Sequence, residues 1–197
     1  MSAPPAPPIL LASTSPQRRA ILEQLGIPFD VVPPRYEEDD TKTADPVAMV
    51  RDHARGKARS VADEAGDRPV LGVDTAVVLA GRVFGKPADA GDAERMLETL
   101  GGQRHAVISG LCLVTPGWEF LDADTTFVTF RRLTPRDLAV YVASGEWRNR
   151  AGGYAIQGLG AALVQRLDGD YLNVVGLPAA LLVRVLAERF AGVYGFG

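Results

Sequence analysis

The ten-residue run from Val70 to Leu79 constrains the fold more than any other segment. Its sequence, VLGVDTAVVL, is rich in β-branched residues and carries polar side chains only at Asp74 and Thr75. Such a run predicts a strand that is buried on at least one face. A carboxylate in a buried strand is costly unless a cation, a metal ion or hydrogen bonds replace its hydration. Two interpretations of Asp74 stay open: a metal ligand or general base beside a ligand site, or a carboxylate held by a structural arginine.

Shorter apolar segments on both sides of this run alternate with helical patterns. Further strands are predicted at residues 9–12, 29–32, 83–84, 106–114, 125–130, 162–167 and 171–175. Helices are predicted at residues 16–25, 46–65, 89–100, 134–143 and 178–190. The alternation, with one hairpin at residues 80–81, predicts an α/β fold with a mixed sheet.

Length and composition limit the class of protein. Residues 9–197 are predicted to form a single domain after a short disordered leader at residues 1–8. The net charge of −3 argues against a general nucleic-acid-binding surface, and no apolar run approaches the roughly 20 residues of a membrane span. The single cysteine, Cys112, lies in an apolar run and is predicted to be a buried, inert thiol. One cysteine fits a reducing, cytoplasmic location.

The segment STSPQRR, residues 13–19, joins the first predicted strand to the first helix. A helix N-terminus offers free N–H groups and a partial positive charge, which suit a phosphate. Ser13 and Ser15 add hydroxyl donors, and Arg18 or Arg19 adds a guanidinium fork. A capped helix with solvated arginines is the commoner arrangement and is favoured when this segment is taken alone.

Two lysines carry weaker signals. Lys86 follows the predicted hairpin and precedes a proline, so an extended backbone could aim it toward Asp74, although exposed turn lysines are commoner. Lys57 shares a helix face with His53, four residues earlier, and a solvated basic face is the default interpretation. Neither His53 nor His105 has metal-ligand spacing, so both are interpreted as structural or surface residues and a zinc site is not expected.

Two loops complete the set of candidate features. The acidic run EEDD, residues 37–40, can supply an oxygen ligand for Mg²⁺ or Mn²⁺, although most acidic runs are solvated. The loop GGYAIQG, residues 152–158, permits close backbone approach to a ligand, and Gln157 offers both a donor and an acceptor to a base edge. A flexible turn is the competing interpretation. The common glycine-rich nucleotide motifs are absent from the sequence.

Together and in this order, these segments resemble the Maf family, the septum-formation-associated nucleotide pyrophosphatases. The resemblance covers about residues 9–190. It rests on LASTSPQRR (11–19), EE (37–38), GVDT (72–75), GKP (85–87), GQRH (102–105), SGE (144–146), AGGYAIQG (151–158) and NVVGLP (173–178).

The resemblance implies a Maf/ITPase-like α/β fold, with a twisted mixed sheet flanked by helices and a deep cleft between two lobes. It also implies metal-dependent hydrolysis of a nucleoside triphosphate to the monophosphate and diphosphate, with Mg²⁺ or Mn²⁺ as the cofactor and with dTTP, UTP or modified pyrimidine nucleotides as the expected substrates. The expected partner is the nucleotide, with no stable nucleic-acid partner and no membrane, and a homodimer is allowed.

The resemblance further implies a role for each matching residue. Asp74 would act as the general base and, together with Glu38, would hold the metal. The phosphates would be bound by Ser13, Arg18, Lys57 and Lys86. The positions tied to base choice are Gln17, Thr75 and Gln157.

The segments around Thr75 and Gln157 resemble the subgroup that acts on dTTP and UTP rather than the one that acts on 7-methyl-GTP. Two departures stand out, since the family usually has arginine where this chain has Gln17 and lysine where it has Arg150.

Two alternative functions stay open. A phosphatase would release orthophosphate instead of diphosphate. A nucleotide-binding or nucleic-acid-binding regulator of cell division or septum formation would bind without turnover, although the acidic charge balance argues against DNA binding.

Overall fold

Seven strands form one mixed sheet in the computed structural model, which describes residues 6–197. The strands are β1 (Ile9–Ala12), β2 (Phe29–Val32), β3 (Val70–Leu79), β4 (Arg82–Phe84), β5 (Arg104–Thr115), β6 (Trp118–Phe130) and β7 (Val164–Asp168). Their order is β2-β1-β3-β5-β6-β7, with β4 paired to β3. Strand β1 runs parallel to β2 and β3, whereas β4 is antiparallel to β3 and β7 is antiparallel to β6. The predicted α/β fold with a mixed sheet is therefore confirmed.

Six α-helices connect or flank these strands in the described part of the chain. They are α1 (Pro16–Gln24), α2 (Pro46–Arg59), α3 (Ala90–Leu100), α4 (Pro135–Ser144), α5 (Tyr171–Val175) and α6 (Ala179–Phe190). Short 3₁₀ segments occupy Ala62–Glu64, Ala151–Gly153 and Gly158–Leu163. The first four helices begin at a polar residue whose side chain accepts a hydrogen bond from a backbone N–H of the first turn; these residues are Ser15, Asp45, Asp89 and Thr134.

The structure corrects two of the predicted elements. Helix α2 ends at Arg59 rather than near residue 65, and a separate 3₁₀ turn follows it. The strand predicted at 171–175 is wrong, because this segment forms helix α5. Its valines favour a strand, but the Asp170 carboxylate accepts a hydrogen bond from Leu172 N at 2.8 Å, and such a local bond favours a helical turn.

The chain divides into two compact units. The first comprises the described residues up to Asp74 together with Ser109–Asp124 and Gly176–Gly197, and the second comprises Thr75–Ile108 and Thr125–Val175. Each has its own apolar cluster: the first includes Leu10, Ala54, Val70 and Cys112, and the second includes Val77, Leu97, Phe130 and Tyr154. The single domain at 9–197 and the deep cleft stay predictions.

Helix α2 packs directly against the sheet because two strand positions are glycine. A Cβ atom at Gly72 in β3 would overlap with the backbone carbonyl of Ala54, and one at Gly110 in β5 would overlap with that of Val50. The helix backbone therefore lies against both strands with no side chain between them. This close packing brings one face of α2 to the middle of β3.

The predicted leader at residues 1–8 falls partly on residues 1–5, which lie outside the described part of the chain. Within the described part, the Tyr194 hydroxyl donates to Pro7 O at 2.9 Å. No helix of residues 6–197 is both long enough and apolar enough to cross a membrane.

Candidate active site

Asp74 lies near the middle of β3, and only 13% of its side chain is exposed. Lys57 Nζ donates to Asp74 Oδ1 at 2.6 Å, and His53 Nδ1 lies 3.5 Å from Oδ2. Burial alone would raise the pKa of Asp74, but the interaction with His53 and the charges of Lys57 and Arg18 outweigh it and lower the pKa to about 2. Asp74 is therefore an ionised, largely buried carboxylate that neighbouring cationic side chains stabilise.

Lys57 bridges two carboxylates. Its Nζ lies 2.6 Å from Asp74 Oδ1 and 2.5 Å from Glu38 Oε1, and 10% of its side chain is exposed. Glu38 comes from the loop between β2 and α2 and is 45% exposed. The default interpretation of Lys57 as part of a solvated basic face is wrong, because close packing of α2 on β3 turns it toward Asp74.

His53 is the site residue that sequence reasoning missed. It lies one helical turn before Lys57, its side chain is 3% exposed, and its Nδ1 is also 3.7 Å from Asp40 Oδ1. The interaction with Asp74 raises the pKa of His53 above its ordinary value, although burial opposes this shift. The sequence signal was the four-residue spacing to Lys57, which places both on one helix face but does not show what that face contacts.

Three side chains of this cluster can hold a divalent cation. One ligand atom from each of Glu38, His53 and Asp74 lies within 4.8 Å of the others. Carboxylate oxygens and an imidazole nitrogen are common ligands of divalent ions in proteins. The Lys57 ammonium between Glu38 and Asp74 shows that these oxygens already surround a positive charge.

The start of α1 presents an arginine to the same region. Arg18 Nη1 donates to Ser13 Oγ at 3.1 Å, and its Nε donates to Gly176 O at 2.9 Å. Burial lowers the pKa of Arg18, and the charges of Asp74 and Glu38 oppose this shift. The Ser13 hydroxyl and the Gly176 carbonyl therefore hold a charged side chain near Asp74, whereas the neighbouring Arg19 is exposed.

Residues at the N-terminus of α1 are also bonded to one another. The Ser15 hydroxyl accepts a hydrogen bond from Arg18 N at 3.4 Å and donates to Gln17 Oε1 at 3.2 Å. Ser13 is buried, and its hydroxyl accepts from Ser15 N at 3.2 Å. The predicted N-cap is confirmed, and Gln17 is half-buried beside it.

The remaining predicted site residues belong to the second unit. Thr75 follows Asp74 in β3 and is half-buried, Lys86 is exposed in the segment after β4, and Gln157 is exposed before a 3₁₀ turn. The first unit thus contains Ser13, Gln17, Arg18, Glu38, Lys57 and Asp74, and the second contains Thr75, Lys86 and Gln157.

Glu146 fixes the loop that carries Gln157. Its Oε1 accepts from Leu159 N at 3.0 Å, and its Oε2 accepts from Gly160 N at 3.2 Å. Gly158 has φ +68°, and a Cβ atom there would approach the Glu146 carboxylate too closely. At the other end of the loop, Gly152 N donates to Gly85 O at 3.0 Å. The glycine-rich loop is therefore an ordered element rather than a plain flexible turn.

Two other candidate reactive groups are structural. Cys112 is fully buried, and burial raises the pKa of its thiol to about 12, which confirms the predicted inert thiol. His105 is 1% exposed and packs against Phe130 and Tyr154, with its Nε2 2.9 Å from the Tyr154 hydroxyl. Burial lowers the pKa of His105 to about 4.

Comparison with known proteins places these features in a family. A "dTTP/UTP pyrophosphatase" of Deinococcus radiodurans is 43% identical over 197 residues, which covers 100% of both chains. A relative with the same name from Gloeobacter violaceus is 47% identical over 180 residues, 91% of this chain and 95% of the relative.

A solved structure supports the fold alone. A HAM1 protein from Coxiella burnetii has a TM-score of 0.51 and 18% identity, with 91% of this chain and 98% of that chain covered.

The family model described as "Maf-like protein" matches residues 8–189. The chain therefore belongs to the Maf family.

Proposed function

We propose that this Maf-family chain is a nucleoside triphosphate pyrophosphatase that hydrolyses dTTP and UTP to the nucleoside monophosphate and diphosphate. The observation that carries this proposal is the ionised, largely buried Asp74 carboxylate beside Lys57, Glu38 and His53. The names of the relatives from Deinococcus radiodurans and Gloeobacter violaceus support the same activity.

Asp74 is proposed to act on the attacking water. The water oxygen forms a bond to the α-phosphorus in line with the bridging oxygen, the bond to that oxygen breaks, and diphosphate leaves; the protons of the water pass to phosphate oxygens of the products and to solvent. A carboxylate with a pKa of about 2 accepts hydrogen bonds well but is a weak base at neutral pH. This favours orientation of the water by Asp74 over complete removal of its proton before attack.

Cationic and hydroxyl groups are proposed to hold the triphosphate. Arg18 is fixed by Ser13 and Gly176, so little conformational entropy is lost when its guanidinium binds an anion. Lys57 supplies a nearby ammonium, and the N-terminus of α1 adds a partial positive charge. Lys86 is proposed as a further phosphate-binding cation.

The carboxylates of Glu38 and Asp74 are proposed to hold Mg²⁺ or Mn²⁺. When bound, such an ion would neutralise phosphate charge and polarise the phosphoryl group that reacts. The chain's part is to supply ionised oxygens, and the low pKa of Asp74 keeps one of them ionised at any physiological pH.

The side chains of Gln17, Thr75 and Gln157 are proposed to select the base. Gln157 is exposed on a loop that Glu146 orders, so its amide is free to meet the edge of a pyrimidine. Gln17 lies at the start of α1, where its side chain accepts from Ser15.

The proposal is tested by incubating the full chain with dTTP or UTP and Mg²⁺ or Mn²⁺ and identifying the products. We expect the monophosphate and diphosphate in equal amounts. Orthophosphate as the first product would support a phosphatase instead, and nucleotide binding without turnover would support a regulator.

A variant pair separates chemistry from folding. Asp74→Asn should lower kcat by about 10³-fold while the chain stays folded, because the ionised carboxylate is lost without a change in size. Asp30→Asn is the matched control, since Asp30 is also a strand carboxylate in an ion pair, in its case with Arg68 at 2.7 Å. Near-wild-type turnover by Asp74→Asn would refute the role given to Asp74.

A further inference from the structure

The imidazole of His53 is buried against the carboxylates that are proposed to hold the cation. Its Nδ1 lies 3.5 Å from Asp74 Oδ2 and 3.7 Å from Asp40 Oδ1. Among the described residues, ligand atoms of Glu38, His53 and Asp74 lie within 4.8 Å of one another. The imidazole nitrogen therefore faces the same space as the two proposed oxygen ligands.

His53 is not locked to either carboxylate. Both of these carboxylate distances are longer than the typical N–H···O distance of about 2.9 Å. Two ligand atoms bound at about 2.1 Å to one ion are about 3 Å apart when they meet it at a right angle. Nδ1 and Asp74 Oδ2 are 3.5 Å apart, so a small side-chain adjustment would bring both to one ion.

A positive charge already occupies the neighbouring space. Lys57 follows His53 by one turn of α2, and its ammonium lies 2.5 Å from Glu38 and 2.6 Å from Asp74. The imidazole and the ammonium thus face the same carboxylates from one helix face. A bound cation would compete with the Lys57 ammonium for these oxygens, whereas His53, after releasing any Nδ1 proton to solvent, would add a neutral nitrogen donor.

We propose that His53 Nδ1 is a third protein ligand of the divalent cation, beside the carboxylates of Glu38 and Asp74. This inference rests on the proposed metal-dependent function. An imidazole nitrogen strengthens the binding of Co²⁺ and other later first-row ions far more than that of Mg²⁺, which prefers oxygen. The site therefore prefers Co²⁺ over Mg²⁺ more strongly than a site formed by the two carboxylates alone would.

Proton NMR of the Co²⁺-loaded full chain, without nucleotide, tests the ligation directly. An imidazole bound through Nδ1 keeps an exchangeable proton on Nε2, and a nearby paramagnetic ion shifts its signal strongly. Because the chain has two histidines, variants assign the signal: His53→Gln should abolish it and His105→Gln should retain it. A signal that survives in His53→Gln, or no such signal in the wild-type chain, would overturn the proposal.

Affinities for Co²⁺ alone and Mg²⁺ alone separate ligation from a structural role. His53→Leu should weaken Co²⁺ binding roughly tenfold or more, while Mg²⁺ binding changes less than about twofold. Equal losses of affinity for both ions would mean that His53 only orients the carboxylates. Unchanged affinities would mean that it has no part in binding. Either result would contradict the proposal. Thermal unfolding confirms that the variant is folded, and His53→Gln replaces it if it is not.

Neither measurement requires turnover. If the chain hydrolyses dTTP but His53 does not bind the ion, the metal-ligand proposal fails and the proposed function stands. If the chain binds Co²⁺ through His53 but releases no diphosphate, the proposed function fails and the metal-ligand proposal stands.

Discussion

The ammonium of Lys57 donates to the carboxylate of Asp74 at 2.6 Å, joining the last turns of α2 to the middle of β3. The same ammonium contacts Glu38, so one internal cation balances both proposed metal ligands. A divalent ion at these oxygens has to compete with Lys57. The lysine is therefore expected to weaken metal binding in the free chain while it supports binding of the triphosphate.

Lys57→Met tests this competition. We expect the variant to bind Mg²⁺ about tenfold more tightly without nucleotide, because a charge of the same sign is removed from beside the ion. Its kcat/KM for dTTP should nevertheless fall about 10²-fold, because a phosphate-binding cation is lost. Calorimetric titration with Mg²⁺ and steady-state kinetics measure the two effects.

Lys42→Met is the control, since Lys42 is an exposed loop lysine. If Lys57→Met binds Mg²⁺ as weakly as the wild-type chain or more weakly, Lys57 does not compete with the ion. The contacts of its ammonium with Glu38 and Asp74 would then need another explanation.

Close packing of α2 on β3 predicts a strong effect of Gly72→Ala. The added Cβ would overlap with the carbonyl of Ala54, so the helix has to move away from the strand. We expect a loss of about 3 kcal/mol in the free energy of unfolding, with reduced activity because His53 and Lys57 move with the helix. Urea denaturation measures the loss.

Gly85→Ala is the control, because its new Cβ meets no atom within 4 Å. The stability of this variant should match that of the wild type. An equal loss in both variants would contradict the packing argument.

Asp74 could be predicted from the sequence because a charge inside an apolar strand is a local anomaly with few physical explanations. His53 could not, because its role depends on which strand the α2 face meets. The four-residue spacing to Lys57 predicts a shared face but not what that face contacts. Helix α5 was missed because two valines favour a strand in this five-residue segment, whereas the side-chain bond from Asp170 favours a helical turn.

Burial of His105 predicts a pH-dependent contribution to stability. Its pKa is about 4 in the folded chain and about 6.5 when exposed, so the unfolded chain binds more protons between these values. This contribution is fully present above pH 6.5 and is lost as the pH falls toward 4. At pH 5 the loss should be roughly 2 kcal/mol.

His105→Gln should remove this contribution. The drop in unfolding free energy between pH 7.5 and pH 5 should be roughly 2 kcal/mol smaller in the variant than in the wild type. Denaturant titrations at the two pH values provide the comparison, and other titrating groups cancel because both chains share them. Parallel pH profiles would show that the imidazole is solvated in the folded state.

Gln157→Ala tests the proposed selection of the base. The Glu146 carboxylate orders the loop through Leu159 and Gly160, so removal of the Gln157 amide should alter base contacts without releasing the loop. We expect the preference for dTTP and UTP over purine triphosphates to fall about five- to tenfold, as for the loss of one or two hydrogen bonds. The maximal rate on the best substrate should change little.

The ratio of kcat/KM values across a panel of triphosphates measures this preference. Gln165→Ala is the control, since Gln165 is an exposed glutamine on β7. Equal losses for every nucleotide would assign Gln157 to the phosphates or to the loop structure instead of the base.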